Sequence, residues 1–135
     1  MAISMRDIFD IRIDFENYSE MKNSEQIVKI ISFGGICDSK YFQGKVMSGG
    51  TDVQILKKDG TGTVSAQYIL EGTDRSGARC KVYVANEGII DIAGQMQTNP
   101  KILTDSRELS WLHTEKMQCR FETREEEFHV IIYGE

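Results

Sequence analysis

Asp52 and Gln54 stand two residues apart in a strand-like stretch, so their side chains leave the same face of the chain. If that face is the inside of a sheet, an acid and an amide share an apolar interior. A carboxylate so placed needs a hydrogen-bonding or charged partner, or its pKa rises toward a value useful for proton transfer. The competing reading has Asp52 binding the backbone of the Gly49-Gly50 turn while Gln54 faces water. Tyr68 lies in a row with Val64, Ala66 and Leu70, which buries its ring and obliges its hydroxyl to find a partner or reach a cavity, unless it only packs. Asn86 ends the row Cys80, Val82, Val84, where its amide could orient a ligand carbonyl or serve the turn before Gly88. Tyr83 leaves the opposite face by alternation and is the weaker ligand contact. Trp111 could close one end of the fold or stack on an aromatic ligand. Taken together, Asp52 is the expected proton-transferring group and Tyr68 or Asn86 the donor to a carbonyl oxygen, with Gln54, Asn86, Trp111 and Tyr83 as binding residues. That set suits a cofactor-independent isomerisation or cyclisation of a small carbonyl compound.

Other chemistries lack their residues. His113 and His129 are the only histidines, and no carboxylate or cysteine stands at a ligand spacing from either, so no metal site is expected. The string Gly60-Thr61-Gly62 precedes a strand, whereas a dinucleotide loop must open a helix. Residues 44–50 do not form a phosphate loop, since Gly50 stands where the lysine after the second glycine is required, and no serine sits in a nucleophile elbow. Cys37, Cys80 and Cys119 are odd in number and set in apolar stretches, which reads as inert, reduced thiols.

The elements that must position these groups follow a period of two. In residues 7–16, Phe9, Ile11, Ile13 and Phe15 alternate with Asp10, Arg12, Asp14 and Glu16, the pattern of a half-buried strand. A polar stretch at 17–24 leads to a strand at 26–33, which Gly34-Gly35 ends or bulges. Residues 41–47 and 51–57 are expected to pair as a hairpin across Ser48-Gly49-Gly50, and Asp59-Gly60 predicts a primed turn into 63–71. After the loop at 72–77 come strands at 80–86 and 89–96, with Asn99-Pro100 as a loop boundary. Asp105, with Glu108 three residues on, predicts the start of a short helix carrying Leu109, Trp111 and Leu112. Strands at 116–123 and 128–133 close a final hairpin over a solvated Glu125-Glu126-Glu127 loop. Nine or ten short strands and one short helix call for an all-β fold, a sandwich or a closed or nearly closed antiparallel β-barrel filling residues 1–135 as one domain, and the barrel is preferred because closure removes exposed strand edges.

The chain has 135 residues, with 16 Lys+Arg against 21 Asp+Glu and a formal net charge of −5. That balance argues against nucleic acid or an anionic membrane surface as partner, because both reward a basic face. The N-terminal ten residues lack the apolar run of a signal peptide, and no stretch approaches the roughly 20 apolar residues of a membrane-spanning helix. The expectation is a cytoplasmic protein. A rival to small-molecule binding is a structural or interaction barrel whose apolar outer faces drive assembly into a homo-oligomer.

Ordered strings along the central stretch resemble one family. They are Gly49-Gly50-Thr51-Asp52-Val53-Gln54, Lys58-Asp59-Gly60, Ala66-Gln67-Tyr68-Ile69-Leu70 and Val82-Tyr83-Val84-Ala85-Asn86-Glu87-Gly88, followed by Asn99-Pro100 and Ser110-Trp111-Leu112. The chain from Val28 onward is similar to the uncharacterised domain of unknown function 3237. The resemblance implies a small β-barrel and no established reaction.

Overall fold

Alternating apolar and polar side chains fold residues 6–134, those described by the computed structural model, into nine strands. They are β1 (Arg6–Lys22), β2 (Gln26–Asp38), β3 (Phe42–Val46), β4 (Thr51–Lys57), β5 (Gly62–Asp74), β6 (Arg79–Ile90), β7 (Met96–Thr104), β8 (Met117–Arg124) and β9 (Glu127–Gly134), with a single 3-10 turn at Ser110–His113. Residues 1–5, part of the segment read for a leader, lie outside the described residues. Every ladder is antiparallel, and the strands follow one another as a meander in which β9 returns to pair with β1. The ends of the path, β7 and β8, come together and close the barrel. Among the described residues no helix is long and apolar enough to cross a membrane.

Residues 41–57 do not form the expected hairpin. β3 and β4 do not pair with each other; they run on in the same direction between β2 and β5, each bonded to both neighbours. They are one long strand interrupted by a bulge at residues 47–50, where Gly49 takes a φ of 107°. Phe33 N donates to Gly50 O at 3.0 Å and Met47 N to Ile69 O at 2.8 Å, so both flanking strands grip the interruption. A short Gly-rich string permits either a hairpin or a bulge, and the two long neighbours decide in favour of the bulge.

Other boundaries move for local reasons. The polar stretch at 17–22 is strand, because β1 keeps pairing with β2 as far as Lys22↔Ile27, and Asn23 makes the turn by accepting from the backbone N–H of Glu25 and Gln26. β2 passes through Gly34-Gly35 without ending. β6 stops at Ile90, a loop replaces the expected strand at 91–95, and Pro100 sits inside β7, which the terminal position of that strand in the ladder tolerates. Asp59-Gly60 does not make a primed turn. Gly60 alone has a positive φ, 89°, its N–H donates to Lys57 O, and Asp59 instead accepts from the N–H and hydroxyl of Thr61. The same turn recurs twice: Gly77 (φ 87°) donates to Asp74 O and Gly94 (φ 82°) to Asp91 O. Asp105 does not cap the short helix; it accepts from Lys81 N, while Ser106 Oγ receives Leu109 N and donates to Asp74 Oδ2.

Inward side chains fill one end of the barrel and not the other. Phe9, Phe42, Leu70, Val82 and Ile132 pack with Leu109 and Leu112 of the short helical segment, which plugs that end. Each fully buried side chain of this size is worth about 1.5–3 kcal/mol in transfer. Outside, Arg120 grips Asp7 through two hydrogen bonds and His129 Nδ1 lies 2.7 Å from Asp10 on the face of β1, β8 and β9, while Met21, Val28, Ile30, Val53 and Ile55 form an apolar outer row across β1, β2 and β4.

Candidate functional site

The unplugged end of the barrel is hollow. Its cavity has a volume of about 160 Å³ and opens among the β1–β2, β4–β5, β6–β7 and β8–β9 turns. Phe15, Phe33, Phe121 and Phe128 line its wall together with Ile13, Ile31, Val64, Met96 and Val130. Four polar side chains interrupt the apolar wall: Asp52 and Gln54 from β4, Tyr68 from β5 and Asn86 from β6.

Register explains their convergence. Asp52 pairs with Ala66 and Ala66 with Asn86, so the three lie in one row across β4, β5 and β6, and Tyr68 follows two residues along β5 on the same inward face. Ala66, too short to fill its place, leaves the space between the acid and the amide. Although it points inward it is only partly buried, which marks a cavity that water reaches.

The polar atoms here are unevenly satisfied. Gln54 Nε2 donates to Asp52 Oδ2 at 3.0 Å, but Asp52 Oδ1 is buried with no partner. Asn86 Nδ2 donates to Cys119 Sγ at 3.3 Å, leaving Asn86 Oδ1 buried and bare. The Tyr68 hydroxyl is buried and bare as well. Buried polar groups are as a rule hydrogen-bonded, so three lone atoms on one cavity are exceptional. Burial pushes the Asp52 carboxyl above its usual range, opposed by the Gln54 hydrogen bond. Burial likewise lifts the Tyr68 phenol well above 10, with the nearby Cys119 and Cys37 adding to the effect, and pushes the Cys119 thiol up to about 11. At neutral pH the phenol is therefore a hydrogen-bond donor and the thiol is no nucleophile.

The structure thus brings Asp52, Gln54, Tyr68 and Asn86 together and separates them from Trp111 and Tyr83. Trp111 lies at the plugged end, edge-on to Tyr41 with ring centroids 5.6 Å apart and with the Arg6 guanidinium 4.8 Å from its ring. Tyr83 points outward, beside Ile69 and Leu103 on the adjoining strands. Neither lines the cavity. The sequence reading did not include the phenylalanine wall or the Cys119 contact. Alternation puts Phe121 and Cys119 on one face of β8, but where the interior stops being packed depends on the plug, a tertiary feature. Among the described residues no three His, Cys, Asp or Glu side chains cluster as a metal site. His113 Nε2 instead accepts from Thr104 N at 3.0 Å.

Residues 3–133 match the profile of a family described as "Protein of unknown function (DUF3237)". A UPF0311 protein of Clostridium acetobutylicum is 29% identical over 92 residues, an alignment taking in 64% of this chain and 54% of the relative. The chain so matched spans about half the length of that relative. Among solved structures, a protein of unknown function from Clostridium acetobutylicum is similar with a TM-score of 0.80 at 22% identity, over 98% of this chain and 99% of the other. An enzyme from Penicillium herquei is similar with a TM-score of 0.75 at 21% identity, over 98% and 94%. At these identities the likeness is one of fold.

Proposed function

The chain belongs to the DUF3237 family of proteins of unknown function, and on that premise we propose that its barrel binds a small, partly apolar organic molecule and that Asp52 serves there as an acid–base group. The observation that carries this reading is the meeting of three buried, unpartnered polar atoms, Asp52 Oδ1, Tyr68 Oη and Asn86 Oδ1, at one apolar cavity. Each costs about 1–3 kcal/mol to leave unsatisfied. A fold that keeps all three at the mouth-facing end retains them for a ligand.

For a carbonyl compound the roles follow from the chemistry. Asp52 Oδ1 removes a proton from the carbon beside the carbonyl, Tyr68 Oη–H donates to the oxygen as it gains charge, and the protonated Asp52 returns the proton to another carbon, which completes an isomerisation. Gln54 is a positioning residue, since its hydrogen bond holds Oδ2 and leaves Oδ1 without a partner. The test is a titration with small carbonyl compounds followed by the backbone resonances of β4, β5 and β6, repeated with Asp52→Asn. Shifts confined to the cavity residues support binding; affinity and turnover unchanged in the variant remove the acid–base role.

The outer row of Met21, Val28, Ile30, Val53 and Ile55 favours a second reading, assembly of identical chains through this face. Light scattering decides it, because a strictly monomeric protein removes the assembly reading and leaves the cavity untouched.

A further inference from the structure

We propose that the molecule this cavity accepts is an uncharged, single-ring aromatic compound carrying one hydroxyl and one carbonyl group, and that carboxylates and phosphate esters are rejected. The proposal rests on the ligand-site reading above and narrows it to a chemical class.

Size and shape give the ring. A cavity near 150 Å³ lined by apolar side chains holds one benzene-sized molecule, and this one measures about 160 Å³. Its wall is aromatic. Phe121 and Phe128 stack with centroids 6.1 Å apart and planes 6° from parallel, and Phe33 meets Tyr68 edge-on at 5.4 Å. Flat walls of this kind suit a flat guest, which gains ring contacts beyond its area burial.

Charge gives the exclusion. Among the described residues no Lys, Arg or His side chain lines the wall, and its one carboxyl group is Asp52. Lys29, whose register puts it between Gln54 on one side and Glu20 on the other, stands outside the wall. A carboxylate or phosphate entering here would be desolvated with no cation to meet it and with an acid beside it.

The bare atoms give the substituents. The Tyr68 hydroxyl has no acceptor, so it requires an oxygen such as a carbonyl on the guest. Asn86 turns its N–H to Cys119 and leaves a lone carbonyl oxygen, so it requires a donor such as a hydroxyl. Asn86 and Asp52 flank Ala66 in one row, two strand spacings or about 10 Å apart at the backbone, and Tyr68 lies about 7 Å further along β5. One substituted ring spans those positions.

The experiment compares 3-hydroxyacetophenone, 3-hydroxybenzoate and 3-ethyltoluene, three molecules of similar size, by dissociation constant and by resonance shifts of Phe33, Phe121 and Phe128. The hydroxyketone is expected to bind at least about tenfold more tightly than either of the others, since each alternative leaves a buried polar atom unpaired or a charge uncompensated. Tyr68→Phe, which keeps the ring volume, is expected to cut hydroxyketone affinity about tenfold and leave 3-ethyltoluene unaffected. If 3-hydroxybenzoate or 3-ethyltoluene binds at the cavity as well as the hydroxyketone, the class is wrong while the cavity remains a ligand site. If no probe shifts the cavity resonances, the ligand-site reading falls with it. The ranking in the unaltered protein decides the class even if the variant fails to fold.

Discussion

Gln54 donates its 3.0 Å hydrogen bond to Oδ2 of Asp52 from two residues along the same strand, while Oδ1 of that carboxylate is buried and unbonded. One oxygen is anchored and the other is kept free. Burial dominates the balance and raises the folded pKa above the unfolded value of about 3.9. The stabilising contribution of the protonated acid is therefore complete below about pH 4 and is lost as pH rises through the folded pKa. Asp52→Asn is expected to raise the melting temperature at pH 7 by a few degrees, with the gain shrinking to nothing near pH 4, as calorimetry across that range would measure. Gln54→Ala removes the bond that opposes the rise and should move the acidic limb of any pH–rate profile to higher pH; an unmoved limb rules out the positioning role.

Tyr68→Phe removes a buried hydroxyl that has no partner. Because the ring still fills its place against Phe33, the substitution is expected to leave stability unchanged or raise it by up to about 1–2 kcal/mol, where loss of a satisfied hydroxyl would lower it. Urea denaturation reads the sign. A clear destabilisation would mean the hydroxyl has a partner inside the fold.

The glycines separate by mechanism. Gly60 holds a positive φ with open space around it, so Gly60→Ala should cost only the left-handed backbone preference, about 1–2 kcal/mol. A Cβ on Gly72 would stand 2.0 Å from the Gln43 carbonyl oxygen, in the ladder between β3 and β5, and Gly72→Ala should cost about 3 kcal/mol or more. Glu125 and Glu126 take φ of 49° and 69° without glycine's freedom, so Glu126→Gly should stabilise the β8–β9 turn by about 1 kcal/mol. Equilibrium unfolding of the three variants gives the order.

Ser106 ties the plug to the barrel by receiving Leu109 N at 3.1 Å and donating to Asp74 Oδ2 at 2.7 Å. Ser106→Ala should accelerate amide exchange around Leu109 and Leu112 about tenfold while β4 to β6 keep their protection. The Ser76 hydroxyl, and after it Ser106, hold the Asp74 carboxyl below the usual range. Asp74 thus contributes stability above about pH 4 that disappears as pH falls through its folded value, and acid should loosen the plug before the rest of the barrel.

Much of this was legible in the residues. Phe9, Ile11, Ile13 and Phe15 announce β1, and the phase of β5 and β6 follows from Tyr68 falling in step with Val64, Ala66 and Leu70 and Asn86 with Cys80, Val82 and Val84, whereas in β4 Val53 and Ile55 alternate against Asp52 and Gln54 and the residues alone leave its inward face open. What period two cannot convey is how neighbouring strands constrain a flexible string: Ser48-Gly49-Gly50 is compatible with a hairpin, yet β2 and β5 hold it as a bulge. Nor does alternation tell which end of a barrel is stuffed. Trp111 reads equally as an end plug or as a ring that stacks on a ligand, and only the chain path that folds Leu109 and Leu112 under one rim puts it on the plug and Tyr68 beside the hollow.

The interruption between β3 and β4 has an evolutionary consequence. Below it, Phe42 and Val46 belong to a tightly fitted half where nearly any change of volume endangers folding; above it, Asp52 and Gln54 face empty space where side chains can change size without displacing a neighbour. Sequence drift therefore meets two regimes within one strand. Relatives can diverge in what they hold at the open end while inheriting the same sealed base.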